Sequence, residues 1–261
     1  MLLLALAACA APVPPADLPP PPPAPAPVAQ EGSRDRAVLT EAFPPPSGSE
    51  RVPTEGFGQW LRERTVAPAD QPVKTHAGKV VGHRARVVEL PMVRGDLQQC
   101  ADSAIRLRAE WLKERGEPVM FHATSGDPMA WERWQAGERP YEQGGRLKWK
   151  AGTEGGWDAY LSKVFLWAGT LSLHAYDTEP AKGPPVPGDL LVDPGSPGHA
   201  VVLLDVARSD DTTYVLVGEG FMPAQDFHVE LGPAQGWWVW DDGVALPHWT
   251  MTADTLRRFK P

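Results

Sequence analysis

The sequence predicts an α+β domain, with helices packed on a mainly antiparallel sheet. Two patterns carry this reading. Helix-like segments come first along the chain and a close series of strands follows. Within that series, His199–Val206 is almost wholly apolar, as a strand buried on both faces is. At 42% hydrophobic and 22% charged residues, the composition suits a globular protein.

The N-terminus reads Met-Leu-Leu-Leu-Ala-Leu-Ala-Ala-Cys-Ala. Leu6-Ala7-Ala8-Cys9 resembles a bacterial lipobox, with small residues before the cleavage point and a cysteine to carry the lipid. The apolar run is too short to span a bilayer. No Lys or Arg precedes it, which fits a true start a few codons upstream. Residues 1–9 are therefore expected to be a lipoprotein signal with lipidation at Cys9. That places the protein in the cell envelope, with the periplasmic face of the outer membrane expected because Ala10 follows the cysteine. A cytoplasmic protein with an apolar N-terminus is the alternative.

Residues 10–55 read as a linker. Pro12–Val28 is mostly Pro and Ala, favouring an extended polyproline spacer. Gln30–Glu55 is polar and rich in Gly, Pro and Ser, with one short element at Ala37–Phe43. A single folded domain is expected over 56–261. Phe57–Arg62 reads as a short helix docking through its aromatics, and Ala85–Leu90 as a strand. Asp96 is placed to cap a helix from Leu97 to Arg115, ended by Gly116. Leu97, Cys100, Ala104, Leu107 and Trp111 keep the three-to-four spacing of one buried stripe.

Val119–His122 reads as a strand and Trp131–Trp134 as a short helix. Pro140–Gly156 reads as a Gly-rich, charged loop. Tyr160–His174 is expected to be helical. Asp189–Val192, His199–Val206, Thr213–Gly218 and Phe227–Leu231 are the closing strands. No internal repeat is present.

The net charge of -8 argues against nucleic acid, which rewards clustered Lys and Arg. No metal is expected, because the seven His form no His-Glu-x-x-His pattern and no paired cysteines exist. Convergence of His122, His199 and His228 in space is left open. Gly144-Gly145 and Gly155-Gly156 lack the strand and helix that a phosphate-binding loop needs, and no cofactor is expected.

With Cys9 acylated, Cys100 has no partner in the chain. A lone thiol in an oxidising compartment is a liability unless buried or used. Cys100 lies in the first turn of its predicted helix, where free backbone N–H groups favour a thiolate and would receive an oxyanion. Gln98 or Gln99 would add a side-chain donor. The opposing reading is an inert core thiol, since Cys100 shares the apolar stripe. His199 opens a strand after Gly198, at the mouth of a Gly-Pro loop. It is read as a general base for Cys100, against a hydrogen-bonded structural role. Glu219, Gln225, Asp205 and His228 are downstream candidates to fix its tautomer. Asp205 lies roughly 20 Å away along the same extended strand, so Glu219 is preferred and Gln225 comes next. Phe221–Gln225 is a candidate cleft wall. Of the eleven Trp, Trp131, Trp134, Trp149 and Trp157 are candidates to line a glycan groove, against ordinary packing. Trp237, Trp238 and Trp240 cluster.

Asp96–Asp102, Phe57–Arg62, Val164–Leu173, Pro187–Val206 and Glu219–Val229, taken as an ordered set, resemble the bacterial family catalogued as domain of unknown function 4846. The resemblance covers most of residues 57–249 and implies a shared fold without an activity. A more distant similarity is to papain-like bacterial cell-wall cysteine hydrolases. Cys100 resembles their nucleophile, Pro187-Gly188-Asp189 their Gly-Asp strand, and Gly198-His199 their His strand. Glu219 is the best match to the residue that orients the His. Gln99 and Ala101 replace the Asp and Ser that usually flank the cysteine, and Tyr141–Trp157 reads as an insertion. The similarity implies a papain-like fold cleaving amide bonds, with peptidoglycan peptides as substrate. The alternative is a non-catalytic envelope lipoprotein that binds peptide or glycan. His122, Gln98, Gly198, Gln225, His228, Trp131 and Trp134 complete the expected cleft.

Overall fold

His199–Arg208 is the apolar run of the sequence, and it forms a ten-residue strand with its first nine residues buried. So long a buried strand needs cover on both sides, and it receives it. The computed structural model describes residues 33–82, 84–153 and 155–261. The lipobox with Cys9 and the whole Pro/Ala-rich segment lie outside the described residues. Among the described residues, no helix is long and apolar enough to cross a membrane.

The architecture is mixed α/β with a mainly antiparallel sheet. Nine strands make the main sheet. In chain order they are β1 (Glu50–Arg51), β2 (Ala85–Val87), β3 (Thr178–Pro180), β4 (Leu190–Asp193), β5 (His199–Arg208), β6 (Thr213–Glu219), β7 (His228–Glu230), β8 (Trp238–Val239) and β9 (Leu256–Phe259). The spatial order is β2-β7-β6-β5-β4-β9-β3, with β1 paired to β5 and β8 to β6, and every pairing is antiparallel. Side chains alternate across this sheet into two cores. Ala200, Val202 and Leu204 join the larger core with the helices, whereas Val201, Leu203 and Val217 join a second one closed by Val244, Leu246 and Met251.

Three helices carry the larger core: α1 (Gly56–Arg62), α2 (Cys100–Glu114) and α3 (Trp157–Trp167). On α2, Cys100, Ala104 and Leu107 are buried, and Ala101, Ile105 and Ala109 with them, whereas Leu97 precedes the helix and, like Trp111, is half-buried. The helix begins at Cys100, three residues later than expected, and its cap is Gln99 rather than Asp96. The Gln99 backbone N–H donates to the Asp102 carboxylate at 3.1 Å, the return half of a capping box. Asp96 has another task. Its carboxylate accepts the Ala224 N–H at 2.6 Å and the Gln99 side-chain amide at 3.1 Å, tying the helix entry to the turn after β6.

Three expectations are corrected. The folded body starts well before Phe57: Leu39, Ala42 and Phe43 are buried in the core, and β1 joins the sheet. The Gly- and charge-rich excursion is ordered as a hairpin of Glu138–Gln143 with Arg146–Ala151. Gly144 and Gly145 form its two-residue turn with φ of 64° and 75°, left-handed values that a Cβ would oppose. The helix after it ends at Trp167, and a separate short helix covers Thr170–Ser172.

Asp205 was set aside as a partner for His199, and the structure gives it a different one. It is fully buried on β5, with its carboxylate accepting from Arg51 at 2.6 Å and from Arg62 at 2.8 Å. The same guanidinium groups donate to the Phe43 and Val52 carbonyls. The N-terminal segment is thus clamped to the central strand through one carboxylate. Removing it leaves the buried Arg62 charge without its counter-ion. Asp205→Ala is expected to lower stability by roughly 3–5 kcal/mol. The check is a urea titration in which the midpoint falls while the slope holds.

Candidate active site

Cys100 is the first residue of α2 and His199 the first of β5. Both chemistry-bearing groups therefore sit at element termini, and both are buried there. Glu219 closes β6. Val202 pairs with Gly218, and strand alternation then puts His199 and Glu219 on one face, diagonal neighbours across two central strands. The His199 Nε2 lies 2.8 Å from the Glu219 Oε2. Phe221 and Trp249 wall the ring, each with its centroid 5.4 Å from that of the imidazole. Trp249 also donates its indole N–H to Asp193, the residue paired with His199 across the β4–β5 ladder.

The other ring nitrogen of His199, Nδ1, is buried and has no aligned hydrogen-bond partner among the described residues. The Cys100 side chain nevertheless acts on this ring. Burial alone would push the imidazole down, but Cys100 and Glu219 together outweigh it and hold His199 up at about 9. Glu219 answers in kind. Burial would raise its carboxyl, but His199 and His228 bring it down to about 2. At neutral pH the pair is an imidazolium beside a carboxylate, both buried.

The thiol opens onto a cleft of about 310 Å³ lined by Gln99, Cys100, Thr170, Gly198 and Met222. Gly198 is required here by close approach, since a Cβ would stand 2.4 Å from the Thr170 hydroxyl and 2.6 Å from the Gly195 nitrogen. Met222, 41% exposed, lines this cleft and also a neighbouring cavity of about 400 Å³ that reaches Glu219, Gln225 and His248. Gln99 borders the thiol, with its amide held by Asp96. Gln98 is spent elsewhere: its side chain is buried, accepting from the Val93 N–H and donating to the Pro91 carbonyl.

The remaining candidates separate into three places. His228 faces Glu219 from the next strand, with Nε2 3.7 Å from Oε1. His122 is remote from this group and pairs with Asp177 at 2.7 Å beside Tyr176. Trp131, Trp134 and Trp157 pack on one another or on Tyr160, and Trp149 lies under Arg133, so these rings form a cluster outside the thiol cleft. Trp237 is a core residue, and Trp238 and Trp240 pack on the second core.

A family model described as domain of unknown function 4846 matches residues 39–258. The chain belongs to that family. No curated protein and no solved structure matches it. The family match spans both the N-terminal segment clamped by Asp205 and the strands that carry His199 and Glu219.

Sequence reasoning overlooked Asp102 and Trp249. Trp249 arrives from the connection between the paired strands Gly243–Ala245 and Thr250–Thr252, far along the chain, and gives no local signal. Asp102 had one, as the third residue of a capped helix. Its carboxyl is buried, and burial pushes it up to about 8 despite the Gln99 N–H and its own backbone N–H. One of its oxygens has no partner among the described residues. An acid two positions from the thiol is thus neutral near pH 7 and adds no negative charge beside sulfur. The proton held by folded Asp102 stabilises the fold fully below about pH 4 and ceases to do so as pH rises through about 8. Asp102→Asn removes this dependence. Its stability relative to wild type is expected to climb between pH 4 and 8 and to level off beyond, as read from urea midpoints across pH. A constant difference would show that the acid is ionised in the folded protein.

Proposed function

We propose that this domain is a papain-like cysteine hydrolase that cleaves amide bonds, with peptides of the bacterial cell wall as its substrate class. The observation that carries the reading is the buried imidazole of His199, fixed by Glu219 at 2.8 Å, with Nδ1 left without an aligned partner among the described residues and the Cys100 side chain near enough to raise the ring's pKa. In the proposed reaction Cys100 enters as a thiolate, its proton held on His199, and its sulfur attacks the amide carbonyl to form a C–S bond. The first-turn N–H groups of Cys100 and Ala101, which a helix leaves without internal acceptors, receive the oxyanion. The His199 imidazolium gives its proton to the departing amine as the C–N bond breaks. Water, giving a proton to the neutral imidazole, then attacks the acyl carbon, the C–S bond breaks, the carboxylic acid product leaves and the thiolate–imidazolium pair returns. Glu219 keeps the ring in register throughout. The proposal includes the lipid on Cys9, an envelope location and the spacer that would hold the domain off the membrane.

A second reading is favoured by one observation. Cys100 is only 7% exposed and His199 only 1%, so a cleft that binds a peptide or glycan without cutting it fits the same walls. Hydrolysis of purified cell-wall peptides by wild type and by Cys100→Ala separates the two. The catalytic reading expects release of new amines by wild type, a loss of roughly 10³-fold or more in Cys100→Ala, and a loss of roughly 10²–10⁴-fold in His199→Asn. It also expects iodoacetamide to label Cys100 in native wild type faster than in His199→Asn. Equal product from wild type and Cys100→Ala, with native protein resistant to labelling, would leave only the binding module.

A further inference from the structure

Behind Glu219 lies a second group of side chains that the thiol chemistry does not use. His228 pairs directly with Glu219 across β6 and β7, and strand alternation puts Glu230 on the same face as His228. All three residues are at most 2% exposed. One ligand atom from each lies within 4.8 Å of the other two. The His228 Nδ1 is 2.9 Å from the Asp226 carbonyl oxygen, to which it donates. That bond turns Nε2 toward the two carboxylates, the arrangement by which a backbone carbonyl usually orients a ligating imidazole, and a dication would displace the Nε2 proton that the carboxylates otherwise favour. Nε2 then stands 3.7 Å from the Glu219 Oε1 and 3.6 Å from the Glu230 Oε2. Those spans are ion-pair distances, at which an imidazolium meets both carboxylates. They are close to the roughly 3.4 Å that separates ligand atoms sharing a tetrahedral ion at about 2.1 Å.

We propose that Glu219, His228 and Glu230 bind one first-row divalent cation of the zinc type. Once the Nε2 proton is displaced, two carboxylates and a neutral imidazole carry two negative charges in a buried place, and a dication cancels them. One nitrogen with two oxygens suits zinc better than magnesium, which favours an all-oxygen shell. Access exists, because Glu219 lines the cavity shared with Gln225 and His248. The site is compatible with the proposed hydrolase but independent of it: Glu219 holds His199 through Oε2 and faces His228 with Oε1.

The test is metal content of the full chain purified without chelator, followed by calorimetric titration of the chelator-treated protein with zinc chloride. The expected result is about one zinc per chain, not displaced by millimolar magnesium. Binding should weaken at least ~10-fold in Glu230→Gln and persist in Cys100→Ser. The proposal is overturned if wild type binds no stoichiometric zinc and both ring nitrogens of His228 carry protons by nitrogen NMR, which would make His228 a buried imidazolium between two carboxylates. Loss of zinc in Cys100→Ser with retention in Glu230→Gln would also overturn it, by moving the metal to the thiol. Thiol labelling reports separately on the hydrolase reading, so either can fail alone.

Discussion

The register between β5 and β6 is the constraint on which the rest of the molecule depends. Val202 opposite Gly218 sets where both strands end, and those ends carry His199 and Glu219. A slip of one residue would send every side chain of β5 to the wrong core and part the imidazole from its carboxylate. Slippage is opposed from both faces at once, since the strand feeds two separate apolar clusters. An irregularity between Leu203 and Asp205 lets the register shift once. The strand beyond it delivers Asp205 to the two arginines while the strand before it delivers His199 to Glu219. One strand thereby anchors the N-terminal segment with one half and builds the site with the other.

Burial sets the chemical character of this centre. In water His199 and Glu219 would attract each other weakly, whereas here both have lost solvent and each stabilises the charge of the other. The same loss of solvent keeps Asp102 neutral, because no cation pairs with it among the described residues. Charge is therefore admitted next to the thiol only where an opposite charge meets it. Access is narrow for the same reason: the packing that removes water from the imidazole also leaves the sulfur a small opening.

The central strands and the helix bearing Cys100 were legible in the sequence because their patterns are long. The nine buried residues of β5, and a stripe of apolar residues on α2, exceed what chance composition produces. The grouping of Cys100, His199 and Glu219 was proposed from residue chemistry and resemblance, not from local pattern, since the thiol and the imidazole lie 99 positions apart. Glu50–Arg51 and Leu256–Phe259 were missed, being two and four residues long and rich in charge. Their strand character comes from neighbours already in place. The start of the fold was misjudged because Pro, Gly and Ser around Leu39 and Phe43 hide two core side chains in a polar composition. The grouping of Glu219, His228 and Glu230 had no sequence spacing to reveal it, as it arises across strands.

The hairpin at Glu138–Ala151 explains how so long an interval does no harm. Its flanks, Gly137 and Gly152, are joined by a backbone hydrogen bond of 2.8 Å from the Gly152 nitrogen to the Gly137 oxygen. The excursion leaves the body and returns at nearly the same point, like a parenthesis in a sentence. Lengthening or trimming it alters the count of residues between sulfur and imidazole without altering their separation. Sequence distance is consequently a poor ruler for recognising this arrangement in other chains.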